Sequence, residues 1–199
     1  MYKRQTHLDT QWLWTVQTTI DHYLYRTLTQ NFWLIDHYPG YIFNFEGAVR
    51  YQWAKEYYPT EYERLKNYIK AGRWNISGSS WDSTDPNIPS PESFFRNLLY
   101  GQEFFKKEFG KKSNDIFLPD CFGFGYTLPT IAAHSGIIGF STQKLQHRKL
   151  PFYGDHKLPF MFGLWEGIDG ARIMAVPHAQ DYVSRFDGQE LSNNGKLVD

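Results

Sequence analysis

Cysteine is almost absent from this chain of 199 residues, which contains only Cys121. An internal disulfide is therefore excluded, and the redox compartment cannot be inferred. An excess of either charge is absent as well, because 21 Lys and Arg residues balance 21 Asp and Glu residues. A net charge of zero without a basic stripe argues against nucleic acid as a partner.

Long apolar runs, internal repeats and low-complexity tracts are also missing. No apolar stretch approaches the roughly 20 residues that span a bilayer, so we expect a soluble chain without a membrane span. The first residues, MYKRQ, lack the apolar segment of a signal peptide and are too polar for a buried strand. We therefore expect the native start to be missing, and the sequence indicates neither a compartment nor an oligomeric state.

Aromatic residues are abundant, with 16 Phe, 14 Tyr and 7 Trp. This length and composition can supply the core of one domain or of a piece of a larger one. Hydrophobic periodicity, proline and glycine predict alternating helices and strands. The expected elements are a helix in 10–36, a strand at 41–47, helices in 48–71 broken at Pro59 and closed by Gly72, a strand in 73–82, a helix from the Ser90 cap to Gly110, a strand at 115–120, a helix closed by Gly136, a strand at 137–143 and two strands around Asp169-Gly170. Such alternation predicts an α/β fold with a parallel sheet, either open or closed into a barrel.

Polar residues follow the predicted strands at their carboxyl ends, which open on one face in a β/α barrel. His7 and Asp9 are two residues apart in an extended segment, so both side chains point the same way while Leu8 points into the scaffold. Imidazole nitrogen and carboxylate oxygen are both good zinc ligands. A His-x-Asp pair alone is nevertheless more often structural than metal-binding.

Asp120 ends the apolar stretch IFLP and precedes a turn with Gly123 and Gly125. These glycines let the backbone pass close to a ligand. The same carboxylate is equally suited to capping the next helix. Taken alone, the motif leaves catalysis and capping both open.

Four aromatic residues near these strand ends are candidates for stacking on sugar rings, namely Trp12, Trp14, Trp81 and Phe122. We expect Trp14 to belong to the core. Trp12 and Trp81 lie beside the polar strand ends and are the better candidates for contact with a ligand. Cys121 adjoins Asp120, but the sequence shows no evident base beside it that would activate the thiol. We therefore interpret Cys121 as a small packed residue.

Four blocks in a fixed order resemble the N-terminal catalytic domain of family 38 glycoside hydrolases, the retaining α-mannosidases. The blocks are THLDTQWLWT, NFEGAVRYQWAKEYYP, AGRWNISGSSWDSTDPNIPSPESFFRNLLYGQEFFKKEFG and IFLPDCFGFGYTLPTIAAHSGIIGFSTQKL. The resemblance covers about residues 5–180, so we expect residues 1–199 to form part of one such domain, with a frayed tail at 186–199.

The resemblance implies a (β/α)7-type barrel that holds one zinc ion at the carboxyl ends of its strands. His7 and Asp9 match the first two zinc ligands of the family, and Asp120 matches the residue that is both zinc ligand and catalytic nucleophile. Trp12 matches the tryptophan on which mannose stacks, and Lys144 lies where a basic residue often stands near the site. The implied activity is hydrolysis of α-mannosides of glycans or oligosaccharides by double displacement.

The sequence departs from this family because it stops early. The family's second zinc-binding His and its acid/base Asp lie further along than residue 199, and His178 is not in the matching block. We therefore expect a fragment with a truncated barrel and with weak or no hydrolysis on its own.

Two other interpretations remain open. A metal-dependent polysaccharide deacetylase would use a similar Asp/His metal site to activate water, with its Asp as a base. A non-catalytic carbohydrate-binding relative would also account for the aromatic content. In that case His7, Asp9 and Asp120 need not converge.

Overall fold

The computed structural model describes residues 2–143 and 162–177, with side chains from residue 6 onward. Lys144, His178 and the expected tail at 186–199 lie outside these ranges. The described elements are β1 (Tyr2–Thr6), α1 (Val16–Thr18), a π-helical segment (Thr19–Leu24), α2 (Tyr25–His37), β2 (Tyr41–Glu46), α3 (Ala48–Tyr57), α4 (Pro59–Lys70), β3 (Trp74–Ser77), α5 (Pro91–Phe109), β4 (Asp115–Phe117), α6 (Leu128–His134), β5 (Gly139–Ser141), β6 (Gly163–Glu166) and β7 (Arg172–Val176).

The first predicted helix is present but starts later than residue 10. Thr15 caps it, since the Thr15 hydroxyl accepts a hydrogen bond from the Thr18 backbone N–H at 3.2 Å. The helical path continues through the π-helical segment into α2. Its apolar face is buried as the spacing predicts, with Leu24, Leu28 and Phe32 at most 1% exposed.

The predicted signals for helix ends are confirmed. The Ser90 hydroxyl accepts from the Ser93 backbone N–H at 3.2 Å at the start of α5, and Gly110 ends that helix with a φ of 65°. Pro59 opens α4 directly after α3 ends. The strands expected at 115–120 and 137–143 are shorter than predicted, because regular pairing covers only Asp115–Phe117 and Gly139–Ser141.

The strands form two sheets rather than one. β1, β2 and β3 pair in parallel in that order, and the second sheet has the order β4-β5-β7-β6, in which only the β6–β7 hairpin is antiparallel. The α/β class with parallel strands is confirmed. A closed seven-stranded barrel is not found within the described ranges, because β3 and β4 are not joined by a backbone ladder.

A carboxylate links the two sheets where that ladder is missing. Asp115 at the start of β4 accepts hydrogen bonds from the Ser77 hydroxyl at 2.9 Å and from the Gly78 backbone N–H at 3.2 Å. The Ser113 hydroxyl donates to the same carboxylate at 2.6 Å. Asp115 thus fixes the end of β3 against the start of β4.

Helix α5 contributes to both hydrophobic cores. Its C-terminal half places Phe105 among the aromatic side chains of the first sheet, which include Phe43, Phe45 and Trp74. Its N-terminal half places Phe94 in the core of the second sheet. The helix therefore holds both sheets in one arrangement. Among the described helices, none combines the length and the apolar character that a membrane crossing requires.

Candidate active site

His7 and Asp9 lie just beyond the carboxyl end of β1. The parallel register pairs Thr6 with Phe45, so the next position on each strand brings residue 7 level with residue 46. The Nε2 atom of His7 lies 3.1 Å from Asp9 Oδ1. The prediction that both side chains face the same way agrees with this geometry.

Asp120 reaches the same place from the second sheet. It follows β4 in a segment held by two contacts with the neighbouring strand: the Leu118 backbone N–H donates to Ser141 O at 3.0 Å, and the Thr142 hydroxyl donates to Leu118 O at 2.6 Å. One ligand atom from each of His7, Asp9 and Asp120 lies within 4.8 Å of the others. Asp9 and Asp120, which are 111 positions apart in the sequence, thus lie close together.

The donor set of this cluster fits a zinc ion. Zinc binds imidazole nitrogen and carboxylate oxygen at about 2.0–2.2 Å, so two of its ligand atoms in tetrahedral coordination lie about 3.3–3.6 Å apart. Since the three donor atoms are already within 4.8 Å of one another, side-chain movements of about 1 Å bring them to the spacing that tetrahedral zinc requires. Three protein ligands would also leave coordination positions for oxygen atoms of a substrate.

Glu46 is the residue of this site that sequence reasoning did not assign. The Nδ1 atom of His7 hydrogen-bonds to Glu46 Oε1, and the Ser83 hydroxyl donates to the same oxygen at 3.2 Å. Glu46, at the end of β2, is 1% exposed. Burial by itself lowers the pKa of His7, but the hydrogen bond and the negative charge of Glu46 raise it more, so the net shift is upward.

Arg50 fixes the segment that carries His7 and Asp9. Its guanidinium is fully buried and donates through Nε to Leu8 O at 2.8 Å and through Nη1 to Asp82 Oδ1 at 3.0 Å. The Thr10 hydroxyl donates to the second oxygen of Asp82 at 2.6 Å. Gly47 makes room for this arrangement, because a Cβ atom at position 47 would lie 2.1 Å from Arg50 Nη1.

A cavity of about 210 Å³ opens over the cluster. Its walls are formed by the loops that follow β1, β3 and β4, namely by His7, Asp9, Ser83, Thr84, Asp85, Leu118, Pro119, Asp120, Cys121 and Phe122. Carboxylates, hydroxyls and one aromatic ring thus surround a small space beside the donor atoms.

The aromatic candidates occupy different positions. Phe122 lines the cavity and is 54% exposed. Trp12 is 67% exposed and packs edge-on against Trp14, with ring centroids 5.7 Å apart, outside the residues that line the cavity. Trp81 packs edge-on against Phe104 at 5.9 Å, beside the first core. The roles of Trp12 and Trp81 in binding a ligand stay predictions, as does that of Lys144, which lies outside the described ranges.

Known proteins resemble this chain over almost its whole length. Residues 4–196 match the family described as Glycosyl hydrolases family 38 N-terminal domain. Alpha-mannosidase G of Dictyostelium discoideum is 42% identical over 197 residues, which are 97% of this chain and 18% of that protein. Alpha-mannosidase 2C1 of Homo sapiens is 35% identical over 186 residues, which are 93% of this chain and 17% of that protein.

The fold is shared with a solved structure, the crystal structure of an alpha-mannosidase from Enterococcus faecalis V583. The TM-score is 0.71 at 21% sequence identity, over 86% of this chain and 19% of the other. The chain spans less than a fifth of the length of each of these relatives. Because the family match covers nearly every residue, the chain belongs to glycosyl hydrolase family 38, in the N-terminal domain of that family.

Proposed function

We propose that this chain supplies part of the active site of a zinc-dependent retaining α-mannosidase. The observation that carries the proposal is the convergence of His7, Asp9 and Asp120 within 4.8 Å, at the carboxyl ends of strands from both sheets. Two relatives that are 42% and 35% identical to the chain are named alpha-mannosidases. In this proposal the two sheets belong to one seven-stranded barrel, in which Asp115 joins the third and fourth strands.

The proposed ligands are the imidazole of His7 and the carboxylates of Asp9 and Asp120. When bound, one zinc ion would grip vicinal hydroxyls of the mannose and stabilise charge in the transition state. The cavity of about 210 Å³ lies below the roughly 300–1,000 Å³ of pockets for drug-sized ligands, which suits a single sugar ring. Phe122 offers that ring an apolar face.

In this proposal Asp120 is the nucleophile. Its carboxylate would attack the anomeric carbon, forming a glycosyl ester as the bond to the leaving oxygen breaks. A second carboxyl group would protonate that oxygen and later activate the water that hydrolyses the ester. The family resemblance places this acid/base further along than residue 199, so the complete reaction is a proposal for a protein that includes it.

Covalent trapping with a fluorinated mannosyl fluoride tests the role of Asp120. Fluoride leaves without being protonated, so the label forms even where the acid/base is missing. We expect mass spectrometry of a digest to find the mannosyl group on the peptide that contains Asp120, and to find none in Asp120→Asn. A wild-type protein that stays unlabelled at Asp120 at saturating reagent contradicts the glycosidase and favours the deacetylase interpretation, in which the same carboxylate is a base.

Metal analysis tests the cation site independently. After equilibration with zinc and removal of the excess, we expect about one ion per wild-type chain and a large loss in Asp9→Ala. Equal zinc content in both proteins would contradict the site and favour a relative that only binds carbohydrate. Glu103→Ala, at an exposed position of α5, is the control for unspecific surface binding.

A further inference from the structure

We propose that Glu46 is a positioning residue that turns the Nε2 atom of His7 toward the cation and thereby sets the affinity of the site for a divalent metal. The inference rests on the metal site proposed above and concerns a residue that does not itself contact the ion. Its basis is the contact of Glu46 with Nδ1 of His7, the ring nitrogen other than the one that faces Asp9.

The two nitrogens of His7 have different partners. Nδ1 hydrogen-bonds to Glu46, whereas Nε2 faces Asp9 Oδ1 at 3.1 Å. A half turn of the ring about the Cβ–Cγ bond would move both nitrogens away from these partners. A carboxylate that accepts the Nδ1–H hydrogen bond opposes this turn and leaves the Nε2 lone pair available for a metal.

Glu46 is itself held in place. The residue is 1% exposed, and the Ser83 hydroxyl donates to Oε1, the same oxygen that hydrogen-bonds to His7 Nδ1. Gly78 on the neighbouring strand end makes space for it, because a Cβ atom at position 78 would lie 3.0 Å from Glu46 Cβ. The acceptor is thus fixed before any ligand arrives, which reduces the ordering that metal binding requires.

The charge of Glu46 adds to its geometric effect. A carboxylate that accepts from a histidine ligand increases the electron density on the ring and makes the other nitrogen a stronger donor. Loss of such a partner typically weakens metal binding by about 10- to 100-fold. Glu46→Gln keeps an acceptor oxygen but removes the charge, whereas Glu46→Leu removes both.

The test measures zinc affinity on the full chain by competition with a chromophoric chelator. We expect Glu46→Leu to bind zinc about 10- to 100-fold more weakly than wild type and Glu46→Gln to lie between them. Glu103→Gln is the matched control, because it makes the same change of charge at an exposed position of α5, outside the residues that line the cavity. We expect that variant to stay within about threefold of wild type, whereas a loss as large as that of Glu46→Gln would overturn the proposal by showing a general effect of charge.

Histidine ¹⁵N NMR gives a readout that a purely structural role would not move. In the zinc-bound protein we expect a hydrogen-bonded Nδ1–H signal of His7, assigned by its loss in His7→Gln. That signal should move upfield in Glu46→Gln and vanish in Glu46→Leu. Should Glu46→Leu not fold, Glu46→Gln carries the test, and zinc affinity within twofold of wild type together with an unchanged signal overturns the proposal.

The result for His7→Ala separates this inference from the proposed function. If wild type and His7→Ala bind zinc equally, the metal site is absent and both proposals fall. If His7→Ala loses zinc while Glu46→Gln binds like wild type with the same Nδ1–H signal, the site stands and the role of Glu46 alone is contradicted.

Discussion

Arg50 and Asp82 form an ion pair of 3.0 Å behind the segment that carries His7 and Asp9, with the arginine side chain fully buried and the aspartate side chain 29% exposed. The same guanidinium donates to Leu8 O, between the two proposed ligands His7 and Asp9. The pair therefore connects the loop after β3 with the segment after β1. We therefore expect the ion pair to stabilise the position of His7 and Asp9 in the absence of a ligand.

Asp82→Asn should be strongly destabilising, because it leaves the buried charge of Arg50 without its counter-ion. We expect a loss of about 3 kcal/mol in the free energy of unfolding, measured by urea denaturation. Glu92→Gln is the matched control, since it breaks the exposed Glu92–Arg96 pair of α5, and its loss should be far smaller. Similar losses in both variants would contradict the role of Arg50 as a buried clamp.

Ser79 is the only non-glycine residue with positive φ in the described ranges, at 46°. Its side chain is 0% exposed, and its hydroxyl has no hydrogen-bond partner among the residues that the structure describes. Left-handed backbone costs a non-glycine residue about 1–2 kcal/mol, and a buried hydroxyl without a partner adds to this. We therefore expect Ser79→Gly to stabilise the fold by about 1 kcal/mol, after the greater entropy of glycine in the unfolded chain is subtracted.

Ser79→Ala separates the two contributions to this gain. Alanine removes the hydroxyl but keeps a Cβ atom in the left-handed conformation, so its stability should lie below that of Ser79→Gly in the same urea titration. A glycine variant less stable than wild type would show that the hydroxyl makes a favourable interaction.

The sequence predicted local features well and relations between distant strands poorly. Ser90, Pro59 and Gly110 act through their own φ values and hydrogen bonds, so the helix ends were predictable. The common direction of His7 and Asp9 follows from alternation alone. The contact of His7 with Glu46 depends on a parallel register between residues 39 positions apart, and no local pattern encodes it.

The packing partner of Trp81 was not predictable either, whereas its expected contact with a ligand stays a prediction. Its place in the sequence, beside polar residues at a strand end, predicted contact with a ligand. The structure packs its ring against Phe104 of α5. That contact depends on how α5 crosses the first sheet, which hydrophobic periodicity does not determine. The missing backbone pairing between β3 and β4 could not be predicted from the sequence either. There a hydrogen bond to the side chain of Asp115 connects the two strands.

Gly101 lies in the middle of α5 against the loop after β3. A Cβ atom there would lie 2.4 Å from Ser79 O and 2.3 Å from the carbonyl carbon of Ser80. Alanine is favoured over glycine by about 1 kcal/mol in a helix interior, but the atoms it would meet are backbone and cannot turn away. We expect Gly101→Ala to lower the unfolding midpoint in urea, whereas Glu103→Ala, exposed on the same helix, should leave it nearly unchanged. A stabilised Gly101→Ala would show that α5 can move away from this loop.

Glu108 joins three helices and makes stability depend on pH. It accepts hydrogen bonds from Lys55 of α3 at 2.7 Å and from Tyr62 of α4 at 2.9 Å. Burial raises the pKa of Glu108, but these hydrogen bonds and the charge of Lys55 lower it more, so the net shift is below its ordinary value of 4.5. A lowered pKa stabilises the fold above the ordinary value, and this stabilisation is lost as the pH falls through the lowered one.

Glu108→Gln should therefore be less stable than wild type at pH 7, and the difference should shrink steadily below pH 4.5. Thermal melts of both proteins between pH 7 and pH 3 measure it. Glu103→Gln, exposed on the same helix, should show no such convergence. A difference between Glu108→Gln and wild type that is independent of pH would mean that packing, not charge, is lost.

Cys121 lines the cavity and is the only cysteine of the chain, so its rate of alkylation measures how accessible the cavity wall is. Burial, together with the negative charges of Asp85, Asp120 and Glu46, raises the pKa of its thiol to about 12, and the thiol donates to Thr84 O at 3.3 Å. Only the thiolate reacts with iodoacetamide, so at pH 8 we expect alkylation of the native protein to be roughly a thousandfold slower than in urea. Asp85→Asn removes the carboxylate whose charge raises the pKa of the thiol most, so it should speed native alkylation, but by much less than unfolding does. A native rate close to the unfolded one would mean that the thiol is ionised at neutral pH and that the cavity wall is more open than described.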